Sequence, residues 1–338
     1  MNPFEHVSAN STAQAVALLR DRRAPDDLAL IAGGTDVLTL MQAGLLSPRR
    51  LVDLKGARDL RYLSLGEDGV LRIGALATLR DLERSVEVAE HLPVLLQSVQ
   101  GAATPQLRAA ATVAGNLLQR PRCWYFRGSH TCWLKGGDRC FAASGDNRYH
   151  AILGTGPCVA VHPSDLAPAL IALDAELTIE GMSGQRRLPV ARLFKQPDGD
   201  SRIEHDLQPE DVIAEISIPR PSPHASGVYL KVMERQAWSF ALVSVAVQLS
   251  FQDELVQSAR IVLGGVSTIP WRVPAAENVL LGRHVSEELA ELAAAAALVE
   301  AVPLSHNEYK VRMAHELTRR AILGAGAYLD SPVSEPRP

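Results

Sequence analysis

The chain has 338 residues, of which 47% are hydrophobic and 21% charged, the ordinary balance of a globular protein with a sizeable core. Its formal net charge of −4 and the lack of a basic cluster exclude a general attraction for nucleic acid. No apolar run is long enough to cross a bilayer, so no membrane insertion is expected.

The first ten residues do not show the charged-then-apolar pattern of a secretory signal. We therefore expect synthesis in the cytoplasm. Export to the periplasm in the folded state, attached to a partner that carries a signal, stays open as an alternative.

The first two-thirds of the chain alternates predicted helices and strands, which indicates an α/β region. Helices are predicted over residues 11–23, 78–83, 91–99 and 166–173, and strands over 28–32, 51–54, 71–75 and 175–180. Three prolines within 219–223 make a stiff segment, which is the best linker candidate.

Beyond this linker the pattern changes to long strands followed by helices. Strands are predicted over residues 227–232, 242–251 and 259–266, and helices over 286–299 and 308–323. This order matches an antiparallel meander backed by helices. The sequence therefore predicts two domains, over residues 1–220 and 224–328, and a loose tail over 329–338.

A predicted strand runs straight into Gly33 and Gly34, which are followed by Thr35 and Asp36. Consecutive glycines let the backbone approach a ligand closely, and successive N–H groups can form a nest for a pyrophosphate. The pattern is neither G-x-G-x-x-G nor a P-loop, and an ordinary tight turn is the alternative. Two other small-residue segments, 111–116 and 162–170, individually indicate only a turn and a helix cap.

All the cysteines fall inside one short stretch with the spacing C-x8-C-x7-C-x17-C. They are Cys123, Cys132, Cys140 and Cys158. Four thiolates suit an iron–sulfur cluster or a structural zinc, although paired zinc ligands normally stand about two to four residues apart. Six aromatic residues lie between the first and last cysteine, where they would keep water from a metal site. Zinc, two disulfides and inert thiols are the alternatives to a cluster.

Six segments occur in a specific order along the chain. They are Ala-Gly-Gly-Thr-Asp (32–36), Ile-Gly-Ala-Leu-Ala-Thr (73–78), Ala-Thr-Val-Ala-Gly-Asn (111–116), His-Pro-Ser-Asp (162–165), Tyr-Leu-Lys-Val-Met-Glu-Arg (229–235) and Gly-Gly-Val-Ser-Thr-Ile-Pro-Trp-Arg (264–272). Over roughly residues 3–328 the chain thus resembles the FAD-binding subunit of the xanthine dehydrogenase and aldehyde oxidoreductase family of molybdenum hydroxylases. The resemblance implies an α+β protein. Its FAD-binding domain would have the two-subdomain fold of vanillyl-alcohol oxidase and p-cresol methylhydroxylase, followed by a C-terminal domain with a three-stranded antiparallel sheet and helices.

Most flavoprotein subunits of this family lack the cysteine-rich insert, here at about residues 119–160. The segments 122–127 and 147–154 look like those of the bacterial periplasmic aldehyde oxidoreductase type, whose flavoprotein subunit carries a 4Fe–4S cluster besides FAD. The resemblance implies that the four cysteines bind this cluster. A β subunit of the 4-hydroxybenzoyl-CoA reductase type is the enzymatic alternative, and a zinc-stabilised binding protein is the non-enzymatic one.

The resemblance also assigns residues to FAD. These residues are Ala32, Gly33, Gly34, Thr35, Asp36, Val37, Leu38, Gly74, Ala75, Thr78, Thr112, Gly115, Asn116, Asp165 and Lys231. The loop 32–38 is expected to hold the pyrophosphate through backbone N–H groups, and Lys231 to reach the flavin ring, where a cation stabilises the reduced form. No flavin-linking residue is evident, so we expect FAD to bind non-covalently.

The family implies two partner subunits and an external electron acceptor. A large subunit with the molybdenum cofactor oxidises the substrate, and a small subunit with two 2Fe–2S clusters relays the electrons. This chain would collect them on FAD and pass them to the acceptor. It carries no molybdenum-cofactor motif and no 2Fe–2S ferredoxin spacing, so none of its residues is expected to be catalytic toward the organic substrate.

Overall fold

The computed structural model describes residues 2–21, 24, 27–154, 156–235 and 237–327, and the predicted tail lies outside them. Within these ranges the strands are β1 (Glu5–Ser8), β2 (Leu28–Ile31), β3 (Arg50–Asp53), β4 (Leu63–Leu65), β5 (Leu71–Gly74), β6 (Glu176–Gly181), β7 (Gly184–Pro189), β8 (Val212–Ile218), β9 (Ala225–Met233), β10 (Ala241–Gln252), β11 (Leu255–Gly264) and β12 (Trp271–Arg272). The α-helices are α1 (Thr12–Leu19), α2 (Val37–Gln42), α3 (Leu79–Arg84), α4 (Val86–His91), α5 (Pro93–Gly101), α6 (Pro105–Arg108), α7 (Val113–Leu117), α8 (Trp124–Arg127), α9 (Phe141–Ser144), α10 (Leu166–Ala172), α11 (Val190–Leu193), α12 (Pro274–Leu280), α13 (Glu287–Ala296) and α14 (Tyr309–Gly326). Two 3-10 helices cover Arg58–Leu60 and Trp133–Lys135.

The N-terminal part begins with a three-stranded parallel sheet in the order β1-β3-β2. Ile31 and Leu51 of this sheet are buried against Met41 of α2, which keeps the helix on the sheet. Ligands of parallel sheets bind beyond the carboxyl ends of the strands. The glycine loop that follows β2 lies at this end of the sheet.

A five-stranded antiparallel sheet in the order β4-β5-β8-β6-β7 follows. Ile73, Leu177 and Ile216 are fully buried in its core. Helix α10 is apolar and buried along its whole length, and it packs against α5 and against β10 and β11 of the last sheet. One central helix therefore joins the cores of the two halves of the chain.

The last sheet is antiparallel, has the order β12-β11-β10-β9, and is covered by α14. The expected number of three strands is wrong, because β12 adds a short fourth strand that pairs Trp271 with Leu263 and Arg272 with Val262. A two-residue strand has no alternating pattern that could predict it. No helix in the described part of the chain is both long and apolar enough to span a membrane.

Several predicted elements differ at their ends. The first helix stops at Leu19, earlier than residue 23. The helix predicted over 91–99 corresponds to α5, which begins at Pro93, and a break separates it from α4, which ends at His91. Pro93 causes this break, since proline lacks an N–H group and is favoured at the first position of a helix. Strands β1, β4, β7 and β8 were not predicted. The partners of β1 and β8 are distant in sequence. Strands β4 and β7 pair with neighbouring strands, but most of their residues are exposed, so they lack an alternating apolar pattern.

Candidate cofactor site

Both glycines of the glycine loop stand where a larger residue would be strained or would clash. Gly34 has φ +73°, in the left-handed region that glycine adopts without strain. Gly33 lies against residues 110–111, where a Cβ would come within 1.9 Å of the carbonyl oxygen of Ala110. The loop and the third predicted segment are therefore in direct backbone contact.

The other predicted segments are hydrogen-bonded to each other. The Val113 N–H donates to the carbonyl of Ala77 at 2.9 Å, which joins the third segment to the second. The Ser164 hydroxyl donates to Oδ1 of Asn116 at 2.6 Å, which joins the fourth segment to the third. The structure thus brings four segments together that are far apart in sequence.

Two cavities are lined in part by residues of the glycine loop. The loop cavity, of about 270 Å³, is lined by predicted residues, namely Ala32, Gly33, Gly34, Thr35, Asp36, Val37, Ala75, Thr112 and Gly115. The central cavity, of about 360 Å³, is lined among others by Thr35, Gly115, Asn116 and Asp165. The two cavities adjoin, because Thr35 and Gly115 line both.

A third cavity, the cysteine-side cavity, has a volume of about 260 Å³. Cys123, Trp124 and His150 contribute to its wall. It adjoins the central cavity, because Arg122 and Phe240 line both. An elongated cleft thus extends from the glycine loop to the first cysteine, and sites that bury small ligands are typically concave and largely apolar in this way.

Four of the predicted FAD residues line none of these three cavities, namely Leu38, Gly74, Thr78 and Lys231. Gly74 packs on the backbone, since a Cβ there would lie 2.4 Å from the carbonyl oxygen of Leu60. Thr78 caps α3, with its hydroxyl accepting from the Asp81 N–H at 3.1 Å. Leu38 is partly exposed at the surface. The structure gives Gly74 and Thr78 roles in the scaffold behind the cleft.

Lys231 is held in a buried ion pair. Its Nζ lies 2.8 Å from Oδ2 of Asp165 and donates to the carbonyl of Gly101 at 2.9 Å. The Tyr229 hydroxyl donates to the other carboxylate oxygen at 2.8 Å. Burial raises the pKa of Asp165, and the positive charge of Lys231 and these hydrogen bonds oppose the rise. The pair anchors β9 to the beginning of α10.

The cysteine insert positions its sulfur atoms at the beginnings of short helices. Cys123, Cys132 and Cys140 immediately precede α8, the second 3-10 helix and α9. The backbone N–H groups of Phe126 and Tyr125 donate to the Cys123 sulfur. All four cysteines are free, which counts against the disulfide alternative.

The thiols of Cys123, Cys140 and Cys158 have shifted pKa values. A hydrogen bond from the Cys158 thiol lowers the pKa of Cys140 to about 6, and the pKa of Cys158 rises accordingly. Burial raises the pKa of Cys123 to about 11. His150 Nε2 lies 3.2 Å from this sulfur, and burial together with the charge of Lys310 lowers the pKa of His150 to about 4. The imidazole is therefore neutral near pH 7 and can donate to the sulfur.

A single metal ion does not fit this arrangement. Among the described residues, no group of three or more His, Cys, Asp or Glu side chains could hold one. A structural zinc needs four ligands around one point. A 4Fe–4S cluster instead takes one thiolate on each iron, so its cysteines need not converge on one point. The described residues therefore do not support a zinc site at the four cysteines.

Buried polar residues attach the end of the insert to the C-terminal domain. The Asn147 amide, which is fully buried, donates to the Ser305 hydroxyl at 3.0 Å. The Asn307 amide donates to the carbonyl of His150 at 3.1 Å, and Lys310 donates to the same carbonyl at 2.9 Å. The insert is thus bound to residues about 160 positions further along the chain.

Two arginines at the beginning of the insert were not assigned from the sequence. Arg122 and Arg127 line the central cavity and both form ion pairs with Asp36. Burial acts to raise the pKa of Asp36, but the Arg122 guanidinium and the other donors outweigh it, so the pKa lies below its ordinary value. In the sequence, their role could have been suspected from their positions close to Cys123, one on each side of it.

Comparisons with known families and proteins cover nearly the whole chain. The family described as the FAD binding domain in molybdopterin dehydrogenase matches residues 2–221, and the CO dehydrogenase flavoprotein C-terminal domain matches residues 228–325. The aldehyde oxidoreductase FAD-binding subunit PaoB of Escherichia coli (strain K12) is 37% identical over 83% of this chain and 86% of its own length. The nicotine 6-hydroxylase medium subunit of Paenarthrobacter nicotinovorans is 30% identical over 89% of this chain and 91% of its own.

Solved structures show the same fold. A carbon monoxide dehydrogenase from Hydrogenophaga pseudoflava superimposes with a TM-score of 0.76 at 25% identity, covering 97% of this chain and 99% of that one. Quinoline 2-oxidoreductase from Pseudomonas putida 86 gives a TM-score of 0.75 at 23% identity, with 97% and 98% covered. The α+β architecture, with its C-terminal antiparallel sheet, is therefore common to this chain and both structures.

Proposed function

The chain belongs to the FAD-binding subunits of the molybdenum hydroxylase family, and on this basis we propose that it is the flavoprotein subunit of an aldehyde oxidoreductase. It is one subunit of an oxidoreductase complex, in which the organic substrate would bind to the molybdenum subunit. Its partners would be a large subunit with the molybdenum cofactor and a small subunit with 2Fe–2S clusters. The similarity to the aldehyde oxidoreductase subunit over most of both chains supports this choice of substrate class.

The observation that carries the proposal is the cleft formed by the three adjoining cavities. When bound there, FAD would accept electrons from the 2Fe–2S subunit and deliver them to an external acceptor. Gly33 and Gly34 leave the backbone of the loop open to the diphosphate, and Thr35 offers a hydroxyl in both the loop and central cavities. The aromatic side chains of the cysteine-side cavity exclude water from the other end.

We further propose that the four cysteines hold a 4Fe–4S cluster. Backbone N–H groups that point at thiolates are one of the means by which proteins set a cluster potential. The helix beginnings behind Cys123 and Cys140 supply such groups. His150 would add a side-chain N–H to the Cys123 sulfur.

The matched segments also support the expected division into domains, with FAD bound non-covalently in a domain over residues 1–220 and a second domain over 224–328. We assign the first domain to the vanillyl-alcohol oxidase and p-cresol methylhydroxylase type of fold. Its two sheets, one parallel and one antiparallel, support two subdomains.

The test is the composition of the complex isolated anaerobically with its neighbouring subunits. We expect one FAD, about four iron atoms and about four sulfides for this chain, in addition to the iron and sulfide of the 2Fe–2S subunit. Changing Cys140 to Ser should remove this extra iron and its low-temperature EPR signal but leave the 2Fe–2S signals. A complex that contains zinc at these cysteines, or no flavin, would contradict the proposal.

A further inference from the structure

The beginning of the cysteine insert is bound to the glycine loop through one carboxylate. Asp36 stands directly before α2, where an aspartate would ordinarily cap the helix, but its side chain makes no cap hydrogen bond. It accepts instead from the Arg120 N–H at 2.9 Å and from Nη2 of Arg127 at 2.9 Å, and it pairs with Arg122. The Asp36 carboxylate therefore binds the insert and does not cap its own helix.

This contact is shielded from water. The side chains of Asp36, Arg127 and Arg122 are 15%, 18% and 25% exposed. Arg127 also donates to the carbonyls of Pro121 and Arg120 at 2.9 and 3.1 Å, which fixes the turn that leads into Cys123. Partly buried, charge-assisted bonds of this kind hold two segments together more firmly than exposed pairs.

The group of charged side chains around Asp36 carries a net charge. Three guanidinium groups, those of Arg120, Arg122 and Arg127, face two carboxylates, Asp36 and Glu204, and Glu204 is bonded to Arg120 at 2.7 Å. One positive charge is left over beside the central cavity, which Arg122 and Arg127 line together with Thr35. A partly buried surplus cation is stabilised by an anion, and a diphosphate is the anion that the glycine loop offers to hold.

We propose that Asp36 is a positioning residue that couples the cysteine insert to FAD binding, an inference that rests on the proposed function. With the insert folded around its cluster, Asp36 fixes the glycine loop, and Arg122 and Arg127 present their surplus charge to the FAD diphosphate. Without the cluster, the turn 120–127 loses its attachment at Cys123 and the loop loses its support. Because coupling between two sites is reciprocal, bound FAD also stabilises the insert.

The experiment measures the Kd for FAD in the complete complex after the flavin has been stripped, before and after anaerobic removal of iron by chelation. In the wild type we expect cluster removal to weaken FAD binding about tenfold. Asp36→Asn should itself weaken FAD binding about tenfold while the iron is retained. Chelation of the iron in this variant should then cause no further loss of FAD affinity. Asp36→Glu should restore part of the dependence on the cluster.

A matched control lies in the same insert. Asp146 and Arg148 form an exposed ion pair away from the three cavities, so Asp146→Asn should behave as the wild type does. If Asp36→Asn fails to assemble, hydrogen exchange of residues 32–38 in the wild type replaces it, with faster exchange expected after chelation.

Two results would overturn the coupling. One is an FAD Kd in the wild type that is the same with and without the cluster, together with unchanged exchange of the loop. The other is a full tenfold dependence on the cluster that persists in Asp36→Asn. A wild type that binds no FAD at all would instead refute the proposed function.

Discussion

Gly33 has no room for a side chain, because the carbonyl of Ala110 occupies the position of a Cβ. We predict that Gly33→Ala forces the loop away from residues 110–111 and costs about 1–3 kcal/mol of stability, as overpacking does. The FAD content of the purified complex should fall with it. Thermal unfolding and flavin absorbance check both effects.

Gly199 provides the control for this substitution. A Cβ at Gly199 meets no atom within 4 Å, so Gly199→Ala should leave the melting temperature and the FAD content unchanged. Equal flavin content in the two variants would contradict a steric requirement for glycine at position 33.

The sequence could predict the glycine loop but not the residues that hold it. Two glycines after an apolar strand are a local pattern, and so their place at the end of β2 follows from neighbouring residues. Asp36 and Arg127 are 91 positions apart, and no local pattern pairs them. Lys231 was assigned to the flavin by resemblance, and its pairing with a carboxylate 66 positions away could not be predicted from a local pattern.

The Asn307 amide is one of the side chains that attach the insert to the loop before α14. The Asn307 side chain is fully buried, donates to the carbonyls of His150 and Ala151 at 3.1 and 3.0 Å, and accepts from the Leu304 N–H at 2.6 Å. The His150 carbonyl still accepts from Lys310, so we predict that Asn307→Ala leaves the Ala151 carbonyl and the Leu304 N–H short of partners, at a cost of about 1–3 kcal/mol per unsatisfied group. Hydrogen exchange of residues 147–153 should increase.

Glu308→Gln is the comparison, because Glu308 is exposed and its side chain caps nothing. It should leave the exchange of residues 147–153 as in the wild type. Equal protection of this segment in Asn307→Ala and in the wild type would show that the amide does not hold the insert.

Long elements were predictable and short ones were not. Helix α14 is 18 residues long, and strands β9, β10 and β11 have 9, 12 and 10 residues, so their periodicity is repeated often enough to be read. Strand β1 depends on pairing with the distant β3, and β12 has only two residues. The short helices of the insert likewise depend on contacts that form only when the chain is folded.

Buried histidines contribute to the response of the whole molecule to acid. Burial lowers the pKa of His162 to about 3 and that of His205 to about 4. In the unfolded chain histidine takes up a proton near pH 6.5, whereas these two stay neutral in the folded protein. The unfolded state therefore binds more protons below about pH 6.5, and stability is lost as the pH falls from there toward 4.

We predict that His205→Gln reduces this loss by about 1.4 kcal/mol per pH unit between pH 6 and 4.5. The measurement is the free energy of unfolding in urea at several pH values. His224→Gln, at an exposed position, should keep the slope of the wild type. A slope for His205→Gln equal to that of the wild type would show that this histidine does not carry the effect.

The hydrogen bonds from residues 305–310 to the end of the cysteine insert also set an order of events in the cell. A ribosome exposes the cysteines long before it exposes Asn307 and Lys310. The nascent polypeptide therefore cannot complete the packing around these thiols until residues 305–310 have been synthesised. The proposed cluster would then be inserted most readily after these residues have emerged, when the insert can close over it.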